Sequence, residues 1–186
     1  FKLEDVVQEN RDAVHSRQFV EGKHLGKWLP TEVRWLEWGT ERAPSLFRRP
    51  TFPELYAVSE KMFIHRTGGE NLRVAYDSEQ TTCNHTVMVC LPWEDVREIR
   101  NRSIKKSARY SDEKTKADLP SREVFESNSE RFAIKYLLAV MNSSVAKGFL
   151  RANRRSNTDL YPDDWKKLPI PDIPPEEQQP IIDLVD

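Results

Sequence analysis

Short segments in which hydrophobic and polar residues alternate predict most of the β-structure of this chain. Residues 33–39 (VRWLEWG) and 61–67 (KMFIHRT) each read as a strand, and residues 71–77 (NLRVAYD) place apolar side chains on one face. The glycine pair at positions 68–69 separates the last two strands and predicts a hairpin. Residues 86–92 (TVMVCLP) form a nearly continuous apolar run, which is typical of a central strand.

An apolar stripe with helical spacing follows in the C-terminal half. Ser127 and Glu130 have the S-x-x-E spacing of a capping box, which predicts a helix over residues 129–142. The apolar face of this helix carries Ala133, Ile134, Leu137, Leu138, Val140 and Met141. A polar interruption then separates it from a second, short predicted helix over residues 145–151.

These elements predict an α+β fold. We expect a mostly antiparallel, twisted or partly barrel-like sheet, with the helix pair of residues 129–151 packed on it. Residues 1–18 are polar and are interpreted as a leader outside the main domain, which spans residues 19–168. Residues 169–186 form a proline-rich exit that leads into a helical spacer. The apolar positions at 181–185 begin a helical stripe for which the sequence offers no partner.

Composition narrows the class of protein. The chain has 186 residues, of which 38 % are hydrophobic and 32 % charged, so it can bury one core beneath a heavily charged surface. No apolar run is long enough to cross a membrane. Cys83 and Cys90 are too few for a disulfide framework, so we predict reduced thiols and a cytoplasmic location. The net charge of −1 argues against a simple cationic nucleic-acid binder, although the local distribution of charge matters more than the sum.

One basic stretch is a candidate for contact with nucleic acid. Residues 99–110 contain no acidic side chain, and lysine and arginine can neutralise phosphates without specifying sequence. The basic residues of this stretch and its approach are Arg97, Arg100, Arg102, Lys105, Lys106 and Arg109, followed by Tyr110. The alternative interpretation is a solvated loop, since acidic residues flank the stretch on both sides.

A second candidate follows the helix pair and comprises Arg151, Asn153, Arg154 and Arg155. Arginine and asparagine make bidentate contacts to guanine and adenine edges, respectively. The alternative is a basic helix end that the helix dipole favours. The adjacent pair of residues 48–49, Arg48 and Arg49, is a weaker candidate by the same reasoning.

Polar residues at predicted strand ends are a third group of candidates. His65, Arg66, Asn84 and His85 lie where a rigid sheet would display recognition residues. Cys83, His85 and His65 do not supply the four paired ligands of a structural zinc site, and consecutive residues cannot converge as a nucleophilic triad. We therefore predict no catalytic residue and no metal site.

Four segments carry a resemblance to a known family. They are residues 45–69 (SLFRRPTFPELYAVSEKMFIHRTGG), 71–90 (NLRVAYDSEQTTCNHTVMVC), 133–151 (AIKYLLAVMNSSVAKGFLR) and 159–186 (DLYPDDWKKLPIPDIPPEEQQPIIDLVD). Their order and spacing over residues 19–186 resemble the target-recognition domain, or Taq-type C-terminal specificity domain, of type IIG restriction-modification enzymes and related adenine-specific DNA methyltransferases.

The resemblance implies that the main domain recognises a double-stranded DNA sequence for a restriction-modification or phage-defence methyltransferase. The sequence has no glycine-rich cofactor loop and no Asn-Pro-Pro-Tyr tetrapeptide, so a covalently linked methyltransferase domain of the parent would bind S-adenosylmethionine. The chain itself would then recognise DNA without catalysing a reaction and without binding a cofactor. Two alternatives stay open, namely a protein-interaction or scaffold module that does not bind DNA and a small enzyme with an unrecognised site.

Overall fold

The computed structural model describes residues 3–43, 53–67, 72–100, 104 and 120–186. These residues form an α+β structure with two small sheets and C-terminal helices, which confirms the predicted class. The predicted single, partly barrel-like sheet is wrong, because the described strands form two separate sheets and no barrel.

The first sheet is mixed and contains four strands. They are β1 (Val7–Gln8), β2 (His15–Val20), β3 (Arg34–Glu37) and β6 (Thr82–Cys83), in the spatial order β1-β3-β2-β6. All neighbours are antiparallel except β2 and β6, which run parallel.

The strand β3 confirms a prediction, whereas β1 and β2 differ from the expectation for residues 1–18. Those residues contribute β1 and most of β2, and both strands pair with β3. Buried Val7, Phe19 and Leu36 pack together in a small core beneath this sheet. The short apolar pairs at 6–7 and 19–20 are therefore enough to anchor a largely polar segment.

The second sheet is antiparallel. It contains β4 (Lys61–His65), β5 (Val74–Asp77) and β7 (Val87–Cys90), in the order β5-β4-β7. The β4–β5 pairing confirms the predicted hairpin. The prediction that residues 86–92 form the central strand is wrong, because β4 is central and β7 lies at one edge. Burial explains this order, since four of the five residues of β4 are buried but only the first residue of β7 is.

Trp28 covers the outer edge of β5. The Trp28 N–H donates to the Val74 carbonyl at 3.1 Å, and the Trp28 carbonyl accepts from the Tyr76 N–H at 2.7 Å. Its φ of 85° is unusual for a bulky residue, and the two hydrogen bonds offset the cost of this backbone conformation. The edge of the second sheet is thereby blocked by the loop that precedes β3.

The described helices occupy mainly the C-terminal part. The α-helices are α1 (Glu54–Ala57), α2 (Arg122–Ser129), α3 (Ile134–Asn142), α4 (Ser144–Asn153), α5 (Pro162–Trp165) and α6 (Pro175–Ile182). Short 3-10 helices cover Leu3–Asp5, Gly22–His24 and Glu94–Val96. Along the described residues, no helix combines the length and the apolar character needed to cross a membrane.

The predicted helix pair exists, but its first start site is wrong. Glu130 follows the last turn of α2 instead of opening a helix, so Ser127 does not act as a cap. The α3 helix begins after Ala133, whose N–H donates to the side chain of buried Gln178 at 3.0 Å. The second helix, α4, is capped locally, because the Ser143 hydroxyl accepts from the N–H of Ala146.

The α3 helix forms the main core with the second sheet. The buried side chains at this interface are Met62, Ile64, Val74, Ile134, Leu138 and Met141. Each such side chain stabilises the fold by about 1.5–3 kcal/mol relative to an exposed one. The α6 helix packs on α3, and Val185 reaches the same core. The apolar stripe at 181–185 therefore has a partner within the chain, although Leu184 stays 88 % exposed.

Candidate nucleic-acid interface

The second sheet has two ends, and the predicted contact residues are divided between them. At one end His65 lies opposite Val87, and we call this the His65 end. At the other end Lys61 lies opposite Asp77, and we call this the Lys61 end. Because a strand rises about 3.3 Å per residue, the two ends are roughly 13 Å apart along β4.

At the His65 end, two predicted arginines meet on one tyrosine. The guanidinium carbons of Arg66 and Arg155 lie 5.5 and 5.1 Å from the centre of the Tyr161 ring. The Leu160 N–H donates to the Arg66 carbonyl at 2.9 Å, and buried Leu160 packs against Leu150, which fixes this segment. We call Arg66, Tyr161 and Arg155 the tyrosine clamp.

Carboxylates surround the tyrosine clamp without hydrogen-bonding to its arginines. Arg66 lies 4.0 Å from Asp159, and Arg155 lies 3.6 Å from both Asp163 and Asp164. The two guanidinium side chains are 37 % and 53 % exposed. Contacts of this length between exposed groups contribute little to stability, so both cations can also interact with an external anion.

Asp164 differs from the other two carboxylates because it is buried. Its Oδ2 accepts a hydrogen bond from the N–H of Tyr161 at 2.9 Å, which holds the first turn of α5. Pro162 occupies the first position of the same helix, where the lack of an N–H has no cost. The local sequence around Tyr161 therefore builds a rigid helix start that supports the clamp.

The turn before β7 lies beside the tyrosine clamp. The Thr86 carbonyl accepts from the Arg66 N–H at 3.0 Å. The Asn84 side-chain oxygen accepts from the Thr86 N–H at 3.1 Å and from the Thr86 hydroxyl at 2.5 Å. The Asn84 amide also donates to Glu21 at 3.4 Å. The side chain of Asn84 thus shapes the turn, while His85 at the tip is exposed.

A close approach between the two sheets completes this end. The Gly22 N–H donates to the Thr86 hydroxyl at 2.9 Å. A Cβ atom at Gly22 would lie only 2.6 Å from the His65 ring, so glycine is required there. Burial and the nearby charge of Arg73 lower the pKa of His65, which favours the neutral imidazole. His65 is therefore a packing residue at the interface between the sheets.

The other predicted residues after the helix pair lie at the end of α4. Arg151 and Asn153 are exposed, and the Asn153 amide donates to the Phe149 carbonyl at 2.8 Å. Arg154 is half-buried and its N–H closes the helix on the Leu150 carbonyl. Of this group, Arg155 is the residue that the structure places on Tyr161.

The first predicted group, as far as it is described, lies at the Lys61 end. Arg97 contacts Glu130 and also lies 3.6 Å from Glu126, and Arg100 lies 4.0 Å from Glu126. These arginines follow β7 past Cys90, whose register partner is near Lys61. The remaining candidates fall outside the described residues, and they are Arg48, Arg49, Arg102, Lys105, Lys106 and Arg109.

The Lys61 end also contains an acidic cleft. Its cavity of about 400 Å³ is lined by four carboxylates, Glu60, Glu94, Asp95 and Glu130, and by two cations, Arg131 and Lys135. Burial and the neighbouring acidic groups raise the pKa of both Glu94 and Asp95. A cleft with this excess of carboxylates repels phosphates, so it is a poor surface for nucleic acid.

The structure gives no geometry for metal binding or thiol chemistry at the described residues. In the ranges that the structure covers, no three His, Cys, Asp or Glu side chains are grouped to hold a metal ion. Both cysteines are free thiols. Burial raises the pKa of Cys83 to about 12 and that of Cys90 to about 11, so neither is activated as a nucleophile.

Sequence reasoning missed Tyr161 and Asp159. The motif Tyr161-Pro162-Asp163-Asp164 has the features of a helix start, which is a local signal. No local signal in the sequence predicts that Arg66, which directly follows the distant strand β4, packs on the ring of Tyr161. No protein-family model matches this chain, and no curated protein sequence matches it.

Proposed function

We propose that this chain is a double-stranded DNA recognition domain that faces the duplex with its His65 end. The supporting observation is that Arg66 and Arg155, two arginines from distant parts of the chain, lie on the ring of Tyr161. Both arginines are among the DNA contacts that the sequence predicts.

The chemistry of the tyrosine clamp suits a phosphate backbone. Arginine presents planar N–H donors that match phosphate oxygens in pairs. Stacking on an aromatic ring orients the guanidinium, so less side-chain entropy is lost when a phosphate binds. The nearest carboxylates stand at 3.6–4.0 Å, so the donors are not consumed by short internal hydrogen bonds to them.

The neighbouring turn suits contact with base edges. His85 is exposed at the tip of a turn that Asn84 and Thr86 hold rigid. An imidazole can donate to or accept from a base edge, whereas phosphate contacts carry no direct sequence information. The arrangement therefore combines arginines that can bind DNA phosphates with His85, a candidate for contact with a base edge.

The larger assembly is part of the proposal. By its resemblance to target-recognition domains, the chain would serve a restriction-modification or phage-defence enzyme that methylates the exocyclic amino group of adenine. The linked methyltransferase domain would bind S-adenosylmethionine and the flipped base. The present chain would then position the duplex and carry out no methylation by itself, in the cytoplasm.

A titration of a short fluorescein-labelled duplex, followed by anisotropy at several salt concentrations, tests the proposal. We expect weak binding at low salt, because the net charge is −1 and the tyrosine clamp supplies only two arginines. The affinity should fall steeply as salt rises, since phosphate contacts release counterions. Absence of binding at low salt, or tight binding that does not depend on salt, would contradict the proposal.

A protein-interaction module is the second candidate, and exposed apolar side chains favour it. Leu184 on the segment after α6 and Val145 on α4 are 88 % and 78 % exposed. Such residues can anchor a protein partner. This alternative predicts no affinity for the duplex at any salt concentration and loss of partner binding in a Leu184→Ser variant.

A further inference from the structure

We propose that Asp159 and Asp163 are counter-ions of the tyrosine clamp that DNA phosphates displace. This inference rests on the proposed function, and it concerns the regulation of the same site. Asp159 lies next to Arg66 and Asp163 next to Arg155, at positions that a bound phosphate would take. They neutralise part of the positive charge of the clamp in the free protein, and they limit its affinity for any polyanion.

The geometry distinguishes these pairs from the structural ion pairs of the molecule. Lys61 and Asp77 are both buried and lie 2.6 Å apart, and Arg122 and Glu126 also lie 2.6 Å apart. The clamp pairs are longer, at 3.6 and 4.0 Å, and both carboxylates are 27 % exposed. A phosphate can therefore approach both arginines from solvent and replace these carboxylates.

Asp163 has a second cation available when it leaves Arg155. Lys166 lies 3.6 Å from Asp163 on the same short helix. The displaced carboxylate can remain paired there, which lowers the cost of the exchange. Asp164 stays in place instead, because it is buried and accepts the hydrogen bond from the N–H of Tyr161.

Tyr161 is the positioning residue in this exchange. Its ring contacts both guanidinium groups, and this contact does not depend on the carboxylates. The two arginines therefore stay close together while their counter-ions change. The guanidinium groups contact the ring of Tyr161 and not its hydroxyl, so phenylalanine should substitute for Tyr161 and leucine should not.

The test uses the duplex titration to compare variants in which neutral asparagine replaces aspartate. An Asp159→Asn/Asp163→Asn variant should bind about three- to tenfold more tightly at low salt, because two partly exposed carboxylates no longer repel the DNA phosphates. Asp172→Asn/Asp186→Asn is the matched control with the same change of charge, since Asp172 pairs with Arg131 and Asp186 with Lys135, and both cations line the cleft of the Lys61 end. The control should bind like the unmodified protein.

Tyrosine variants provide an independent readout of positioning. Tyr161→Phe should keep the affinity and its salt dependence, whereas Tyr161→Leu should weaken binding and lower the salt dependence. Thermal unfolding of each variant confirms that it is folded before binding is compared. Equal affinities of the two tyrosine variants would overturn the role assigned to Tyr161.

The outcomes separate this inference from the proposed function. If Arg66→Gln/Arg155→Gln loses affinity but Asp159→Asn/Asp163→Asn does not gain it, the proposed function stands and the inference fails. The inference also fails if Asp172→Asn/Asp186→Asn tightens binding as much, since the gain would then reflect net charge alone. If the unmodified protein does not bind the duplex, the proposed function fails and the inference fails with it.

Discussion

The two ends of the second sheet both carry arginines, but these arginines differ in burial and in hydrogen bonding. At the Lys61 end, Arg122 is 2 % exposed and donates to the Ile99 carbonyl and to Glu126, each at 2.6 Å. At the His65 end, Arg66 and Arg155 are partly exposed and rest on Tyr161. What a guanidinium already bonds to, rather than how many arginines a segment has, indicates whether it is available to a ligand.

The physical reason is desolvation. A buried guanidinium must satisfy its donors inside the protein, and Arg122 does so with backbone carbonyls that fix the Glu94–Val96 turn onto α2. Trp93 and Phe125 stack at 5.6 Å in the same contact. The Lys61 end is therefore organised for stability, whereas the His65 end keeps its cations within reach of solvent.

The largest expected effect is a loss of stability at the Lys61 end. Replacing Arg122 by Met should lower the free energy of unfolding by about 3–5 kcal/mol, because it leaves buried carbonyls and Glu126 without their donor. Urea denaturation measures this. The control Arg97→Met, at a side chain that is 48 % exposed, should cost less than about 1 kcal/mol. A similar cost for both variants would remove the distinction.

The next effect concerns DNA binding at the two ends. Arg66→Gln/Arg155→Gln should lower the affinity for duplex by about tenfold or more and reduce the salt slope by about 2, because two phosphate contacts are lost. The same charge change at the other end, Arg97→Gln/Arg100→Gln, should leave both quantities nearly unchanged. Anisotropy titrations compare the pairs, and an equal loss in both would show that position does not matter.

A smaller effect is expected in the turn that displays His85. Asn84→Ala removes the acceptor for the N–H and hydroxyl of Thr86 and should lower the free energy of unfolding by about 1 kcal/mol. It should also weaken DNA binding through loss of the turn geometry. His85→Ala is the matched change, and it should affect binding without affecting stability. Chemical denaturation together with anisotropy separates the two results.

The smallest effect is the pH dependence that His65 contributes. Its pKa in the folded protein lies below the ordinary value of 6.5, so the unfolded chain takes up a proton before the folded protein does. Stability should therefore fall as the pH drops below about 7 towards the folded pKa. In His65→Asn this part of the pH dependence should be absent when unfolding is measured across that range. An identical pH profile would contradict the assignment.

The sequence predicts the parts of the fold that depend on local periodicity. Alternation in β3, β4 and β5 and the polar break between α3 and α4 are local, and those elements were correctly expected. The start of α3 was not, because the N–H of Ala133 at this start donates to the side chain of Gln178 from a distant helix. The strand β1 has no local signal in the sequence, because it has only two residues and depends on pairing with β3.

The sequence predicts single residues of the candidate site but not how they come together. Arg66 and Arg155 could be selected from their position at a strand end and after a helix. Their meeting on Tyr161 depends on the path of the chain from α4 to α5, which periodicity does not encode. For the same reason, the sequence could not separate these arginines from Arg100, which lies at the other end of the sheet.

A map of chemical-shift changes in the ¹⁵N-labelled protein, recorded during titration with duplex DNA at low salt, tests whether the His65 end contacts DNA. We expect the shifts to concentrate on the backbone and arginine side-chain N–H groups of Arg66, His85, Arg155 and Tyr161. Signals from Arg97, Arg100 and Arg122 should stay in place. A map centred on the Lys61 end, or one without any specific shift, would contradict the account.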